Sequence, residues 1–308
     1  MKKLLVLLML LVSNYGISQI ISEELVKKHL YKLSADEMEG RRAGTKGIEK
    51  AAKYIESEFK RIGLEKFDGL DSYRQNFIER GLSLFNIIGY IKGKEKKDEF
   101  VIISAHYDHL GSNNSLEGDK IFNGANDNAS GVTAVLALAE FFSKNKINNR
   151  TILFVAFTAE EMGLLGSRYF GKQISPEEII AGINIEMIGK ESPFGPKTAW
   201  ITGFDRSSFG KIIQKNLTDS EYKVFPDPYI NHRLFYRSDN AALARLGIPA
   251  HTFSTSPMDK DLDYHQVSDE AKTLDPYTIS ETIKAIAAGT RSIIIGHDTP
   301  SRVEIPKD

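Results

Sequence analysis

The stretch Phe100-Val-Ile-Ile-Ser-Ala-His-Tyr-Asp-His-Leu-Gly111 decides how this chain folds. Its opening run, Phe100 to Ser104, is apolar without alternation, the pattern of a strand covered on both faces, and such strands belong to parallel sheets enclosed by helices. The run then turns polar, so His106 and Asp108 emerge at the strand's carboxyl end, where open α/β sheets bind ligands. In a strand-like continuation residues i and i+2 share a face, which lets Asp108 support or orient His106. Alone, a His-x-Asp pair is more often structural than functional.

Working outward, further short β-rich runs occur at Leu84 to Ile91, Thr151 to Phe157 and Ile180 to Ile185, with weaker ones at Trp200 to Gly203 and Ala250 to Ser254. Between them the apolar spacing predicts helices at about Ala129 to Ser143, Glu161 to Phe170, Ser207 to Asn216, Ser238 to Leu246 and Pro276 to Ile295. Two more precede the sheet, over 22–33 and 46–62, the second ending at the C-cap Gly63. The expected architecture is α/β: a single three-layer α/β/α sandwich with a mixed, mostly parallel central sheet. The charged stretch Lys92 to Glu99, with four lysines, reads as a solvated hairpin turn.

Composition narrows the function. The chain has 308 residues and a net charge of −1, with 41% hydrophobic and 26% charged residues, the proportions of an ordinary folded enzyme. Without a basic stripe the electrostatic term behind nucleic-acid affinity is missing, so nucleic acid is not an expected partner. With no cysteine there is no disulfide, thiolate metal site or cysteine nucleophile, so any metal must be held by His and carboxylates. Lys2 and Lys3 precede the apolar run Leu4 to Val12, and Gly16 and Ser18 suit a cleavage site. Residues 1–18 therefore read as a signal peptide and 19–308 as one exported catalytic domain, periplasmic or extracellular, with no stable membrane insertion after cleavage.

Four more segments carry candidate chemistry. Asn123-Gly-Ala-Asn-Asp-Asn-Ala-Ser-Gly131 opens onto a helix; an N-cap needs one Asx residue, whereas this loop holds three in a row, so Asp127 is a plausible ligand. Phe157 is followed by Thr158-Ala-Glu-Glu161, in which a capping box explains Glu161 but not Glu160. Adjacent helical residues point about 100° apart, so one carboxylate can hold a cation while its neighbour faces a bound water. Glu186 closes an apolar strand, a costly place for an unpaired carboxylate. His265 sits among acids in a loop and says nothing by itself.

The ordered set resembles the zinc-dependent aminopeptidases typified by secreted bacterial leucyl aminopeptidases, whose relatives include glutamate carboxypeptidases and glutaminyl cyclases. The carriers are SAHYDHLG (104–111), NGANDNASGV (123–132), FTAEEMGLLGS (157–167), NIEMIG (184–189), RSDN (237–240) and DYHQVSD (263–269). The resemblance implies two zinc ions per chain, His106 and Glu186 on one, Glu161 and His265 on the other, and Asp127 bridging them. It makes Glu160 the general base, Asp108 the orienter of His106 and peptides the substrates, with a non-proline cis peptide after Asp127. Glu186 stands where the family usually has aspartate, Asn240 where histidine is common and Val267 where proline is common. The family's frequent protease-associated insertion is not expected, since 19–104 accommodates only two helices and an edge hairpin. Tyr236 reads as packing beside Phe235 sooner than as an oxyanion donor, and His109 as a supporting loop residue. The alternatives are a one-zinc glutaminyl cyclase of the same fold and a non-catalytic homologue, which the presence of Glu160 disfavours.

Overall fold

The computed structural model describes residues 20–304, so the expected leader lies outside the described residues. The strands, in chain order, are β1 (Glu65–Lys66), β2 (Arg74–Glu79), β3 (Leu82–Ile91), β4 (Lys96–His106), β5 (Gly111–Ser112), β6 (Ile121–Phe122), β7 (Arg150–Phe157), β8 (Ile179–Ile185), β9 (Thr198–Ile201), β10 (Lys223–Pro226) and β11 (Ala250–Ser254). Nine form one mixed sheet in the order β1-β3-β7-β4-β8-β11-β9-β10, with β2 also paired to β3. Its centre, β7-β4-β8-β11, is parallel. The β3–β7 and β11–β9 pairings on either side of that centre are antiparallel.

Every residue of β7 is buried, as is β4 from Val101 onward. One face, through Val101, Ile103, Phe154 and Ala156, packs into a core with the helices Glu23–Leu33, Lys46–Ile62, Gly131–Asn145 and Pro276–Gly289. Ile102, Leu153 and Val155 point the other way, toward Phe170 of the helix Leu165–Gly171 and Leu243 of Asn240–Ala244. Helices on both faces make the three-layer sandwich, and the carboxyl ends of the parallel strands share one rim. Among the described residues no helix is long and apolar enough to cross a membrane.

Four local expectations differ. Lys92 to Glu99 is no hairpin turn: β7 lies between β3 and β4, so the segment crosses over it, and its second half is strand. The helix expected from Glu161 begins at Leu165, because Ala159 and Leu164 take left-handed backbone and residues 158–164 close as turns. With no helix at Glu161, the Thr158–Glu161 capping box does not form. The carboxy-terminal helix breaks at Thr290 into Pro276–Gly289 and Arg291–Ile294. The edge strands β2 and β10 have no strand pattern in the sequence; β2, the outer arm of an edge hairpin with β3, reads Arg-Gln-Asn-Phe-Ile-Glu, too polar for a buried-strand pattern.

An ionic network of buried glutamates and exposed cations joins three helices of the larger core. Arg61 reaches Glu58 at 2.7 Å and Glu140 at 2.6 Å, while Lys28 closes on Glu58 at 2.9 Å. Burial alone would raise the Glu140 carboxyl, but hydrogen bonds and charge from Arg61 and Lys144 overcome it and hold the group at about 2, below its ordinary 4.5. A depressed carboxylate stabilises the fold above its unfolded pKa and loses that contribution as pH falls toward the folded one. Glu140→Gln is therefore expected to destabilise by about 1 kcal/mol at neutral pH, allowing for the solvent screening of Arg61 and Lys144. In urea unfolding the gap from wild type should close as pH drops below about 4.5; a gap that stays constant there would show that packing, not charge, is what the substitution removes.

Candidate metal centre

The rim collects side chains from five separate segments. His106 ends β4, Glu160 and Glu161 follow β7, Glu186 follows β8, and Asp127 and His265 arrive on loops. His106 and Asp127 are almost wholly buried, and Glu160, Glu161, Glu186 and His265 are partly exposed.

Asp127 organises the group. Its Oδ1 lies 3.2 Å from His106 Nε2, which in turn lies 3.3 Å from Glu186 Oε1. Its other oxygen, Oδ2, lies 3.2 Å from His265 Nε2, which lies 3.3 Å from Glu161 Oε1. Two His–carboxylate clusters thus share one aspartate, one per oxygen. A tetrahedral cation with bonds of roughly 2.0 to 2.2 Å needs ligand atoms about 3.3 Å apart, and the His–carboxylate distances of both clusters have that spacing. Asp127 Oδ1 is buried with no hydrogen-bond partner.

The histidine chemistry agrees. His106 Nδ1 lies 3.1 Å from the carbonyl oxygen of Asp108, which can only accept, so Nδ1 carries a proton. Nε2 then faces two carboxylates and must be bridged to them by a proton or a metal cation. Without a metal the proton serves: burial opposes charge on His106, but Glu186, Glu160 and Asp127 outweigh it and hold its pKa well above 6.5. His265 behaves alike, pushed up to about 10 by Asp127 and Glu161 against its burial. Both clusters demand positive charge.

Asp108 is placed otherwise than expected. Its carboxylate stands 3.8 Å from His106 and accepts the backbone N–H groups of Glu160 and Glu161, at 3.0 and 3.3 Å. Its carbonyl holds the imidazole, and its carboxylate fixes the turn that presents the two glutamates. Glu160 makes no hydrogen bond or ion pair through its side chain among the described residues and lines an open cleft of about 370 Å³ with the cluster carboxylates. Burial raises its carboxyl well above 4.5, reinforced by Glu186, Asp239 and Asp108 and opposed by His106. The peptide from Asp127 to Asn128 is cis, as the resemblance implies.

Several supporting groups carry no signal of their own in the sequence. Asp269 accepts the N–H groups of Asn126 and Asp127 at 2.7 and 3.0 Å; it closes the quoted motif DYHQVSD, but spacing gave it no role. Buried Arg41 donates to the carbonyls of Leu33, Tyr107, Asn123 and Gly124, tying the strand end to the Asp127 loop. Asp239 is wholly buried, its pKa lifted to about 7 chiefly by that burial. His109 is buried with Nδ1 2.9 Å from Glu161 Oε1 and 3.8 Å from Asp127 Oδ2, so it stands beside His265 as a further imidazole within reach of a cation at the second cluster. Tyr236 lines the cleft but packs edge-on against Phe235 at 5.1 Å.

The family model for peptidase family M28 matches residues 86–290, about two thirds of the chain. An aminopeptidase of Bacillus subtilis (strain 168) is 33% identical over 138 residues, covering 42% of this chain and 28% of that protein. The chain spans between about a quarter and a half of the length of the curated relatives it matches. Among solved structures, an aminopeptidase from Legionella pneumophila superposes with a TM-score of 0.72 at 21% identity, over 91% of this chain and 74% of that one. Glutaminyl cyclase from Porphyromonas gingivalis superposes with a TM-score of 0.68 at 18% identity, over 89% and 99%.

Glu186 gives the site its sharpest test. One oxygen serves the His106 cluster and the other accepts the Ser238 hydroxyl. Aspartate, one methylene shorter, cannot reach both. Glu186→Asp is expected to weaken zinc at the His106 cluster and Glu186→Ala to weaken it more, as read by calorimetric titration. Full zinc affinity in Glu186→Ala would remove this residue from the ligand set.

Proposed function

The chain belongs to peptidase family M28, and we propose that it is an exported metallo-aminopeptidase hydrolysing the N-terminal peptide bond of peptides. One observation carries the reading: each oxygen of Asp127 closes a His–carboxylate cluster with the spacing of a tetrahedral cation. His106, Asp127 and Glu186 would hold one zinc, and Asp127, Glu161 and His265 the other. The His/carboxylate donor set, without thiolates and beside an open cleft, suits catalytic rather than structural zinc. Export rests on the leader read in residues 1–18.

When bound, the zinc pair supplies Lewis-acid polarisation of the scissile carbonyl and acidifies a water beside it. The chain's own residues do the rest. Glu160, raised in proton affinity by burial and neighbouring acids, accepts a proton from the attacking water at its carboxylate and delivers it to the departing amine. Asp108 keeps Glu160 aimed by holding its N–H. His106 is fixed by its Nδ1 bond, so Nε2 keeps its direction throughout. A glutaminyl cyclase is the second reading, favoured by the close superposition on one.

Metal content separates the two. The purified protein is expected to hold two zinc ions, to lose peptide hydrolysis to a chelator and to regain it with zinc or cobalt. One zinc per chain together with cyclisation of N-terminal glutamine would favour the second reading instead.

A substitution tests the base. Glu160→Gln keeps shape but cannot take a proton, so kcat should fall by about 10²-fold or more with zinc content unchanged. Loss of zinc from this variant would mean that Glu160 and Glu161 have been given each other's roles.

A further inference from the structure

Guanidinium groups with no acid to pair with ring the mouth of the cleft. Arg168, Arg237 and Arg245 line it beside the cluster carboxylates, and all three are exposed. Elsewhere Arg61, Arg74 and Arg150 are tied to glutamates. By contrast, these three make no ion pair or side-chain hydrogen bond among the described residues; Arg245 lies 5.9 Å over the Tyr236 ring. The two zinc ions proposed above would offset the charge of Asp127, Glu160, Glu161 and Glu186. The arginines would then set the sign of the field at the mouth.

A narrow cavity of about 50 Å³ adjoins Glu186 and shares Arg237 with the cleft. Its walls include Met187, Trp200, Leu234, Met258 and Tyr264. Of the hydroxyls that line it, Thr202 accepts from Thr252 N, Thr252 donates to Asn240, Ser254 donates to the Met187 carbonyl and Ser238 donates to Glu186, while that of Tyr264 makes no hydrogen bond among the described residues. The indole N–H of Trp200 is buried with no partner. What remains on offer is therefore the Arg237 guanidinium and the Tyr264 hydroxyl, with the unpartnered Trp200 indole in the wall. A cationic side chain would meet Arg237 beside a Glu186 carboxylate whose two oxygens already serve His106 and Ser238, and an aliphatic one would leave the guanidinium unpaired. A carboxylate pairs with the guanidinium and can accept the hydroxyl proton, and arginine is the side chain best matched to it.

We propose that this cleft selects peptides carrying a carboxylate beside the scissile bond, with Arg237 as its anchor and Arg168 and Arg245 adding charge. The inference deepens the aminopeptidase reading and rests on it. Two sources supply the same chemistry: the side chain of an N-terminal aspartate or glutamate seated in the narrow cavity, or the free C-terminus of a short peptide lying along the cleft.

The zinc-loaded full chain tests both. Aspartyl against asparaginyl reporter amides probe the first source, and Leu-Gly against Leu-Gly amide the second. In at least one pair the acid should be favoured in kcat/KM by about tenfold or more, mainly through KM. The preference should shrink in about 0.5 M salt, collapse in Arg237→Gln and invert in Arg237→Glu. Trp200 is the chain's single tryptophan, so its fluorescence follows binding of the same compounds without turnover. Ratios near one in both pairs, by turnover and by fluorescence, overturn the proposal and leave the aminopeptidase reading standing. So does a preference that Arg237→Glu leaves intact. Tighter binding of the acids with no turnover of any compound overturns the aminopeptidase reading and keeps the carboxylate selectivity.

Discussion

Everything at the rim depends on Asp127, a carboxylate buried between two histidines and two further acids. Like charges in a low-dielectric setting repel strongly, and removing them from water is expensive. The arrangement is tolerable only with cations between the oxygens and the imidazole nitrogens. In the metal-free chain protons on His106 and His265 fill that role, which is why both have raised pKa values. Such a cluster is poor economy for stability alone: apolar residues of the same volume would pack the rim at least as well. Its retention points to ligand binding.

The scaffold holds this unfavourable group by using backbone dipoles and buried hydrogen bonds. Asp108 and Asp269 each take two consecutive N–H groups, and so clamp the Glu160 turn and the Asp127 loop. Arg41 takes four carbonyls with no carboxylate in contact, holding two loops by charge-assisted bonds. Backbone strain occurs at the same places. Ala159 before Glu160, Met187 after Glu186 and His265 itself have left-handed backbone, which residues with a Cβ adopt at a cost. At Gly131 a Cβ would meet the Ile185 carbonyl at 2.4 Å, so only glycine lets the helix after Asp127 approach the strand bearing Glu186. Strain of this kind persists where surrounding bonds over-determine it, as they do here.

What could be read from sequence follows from how local each cause is. The strands β4, β7 and β8 were legible because burial on both faces leaves an unbroken apolar run, and their ends then located His106, Glu160 and Glu186. The edge strand β2 was not, since one side faces solvent and its residues are mixed. The Glu161 helix failed for a tertiary reason: the Asp108 carboxylate captures the Glu161 N–H and Asn86 Oδ1 the Thr158 N–H, the two that a capping box would need. The crossover at Lys92 to Glu99 was hidden because strand order is set by long-range pairing, not by the composition of the connection. Within the site, residues that hold others rather than face the cleft, Arg41 and Asp269 above all, have no spacing signature.

Glu186 shows how one methylene joins two regions of the molecule. Its Oε1 belongs to the His106 cluster, while Oε2 accepts from Ser238, and Ser238 accepts from Asn184, which accepts from Ser104. This relay runs through the buried layer of β4 and β8, where every polar atom must find a partner. A shorter acid could satisfy either the cluster or the relay. Glutamate spans both, so the position of Ser238 is coupled to the cluster. Arg237, next along the chain, lines both the cleft and the narrow cavity that Glu186 also lines. The departure from aspartate is thus a structural link: the side chain that completes one cluster also anchors the segment that faces the cleft.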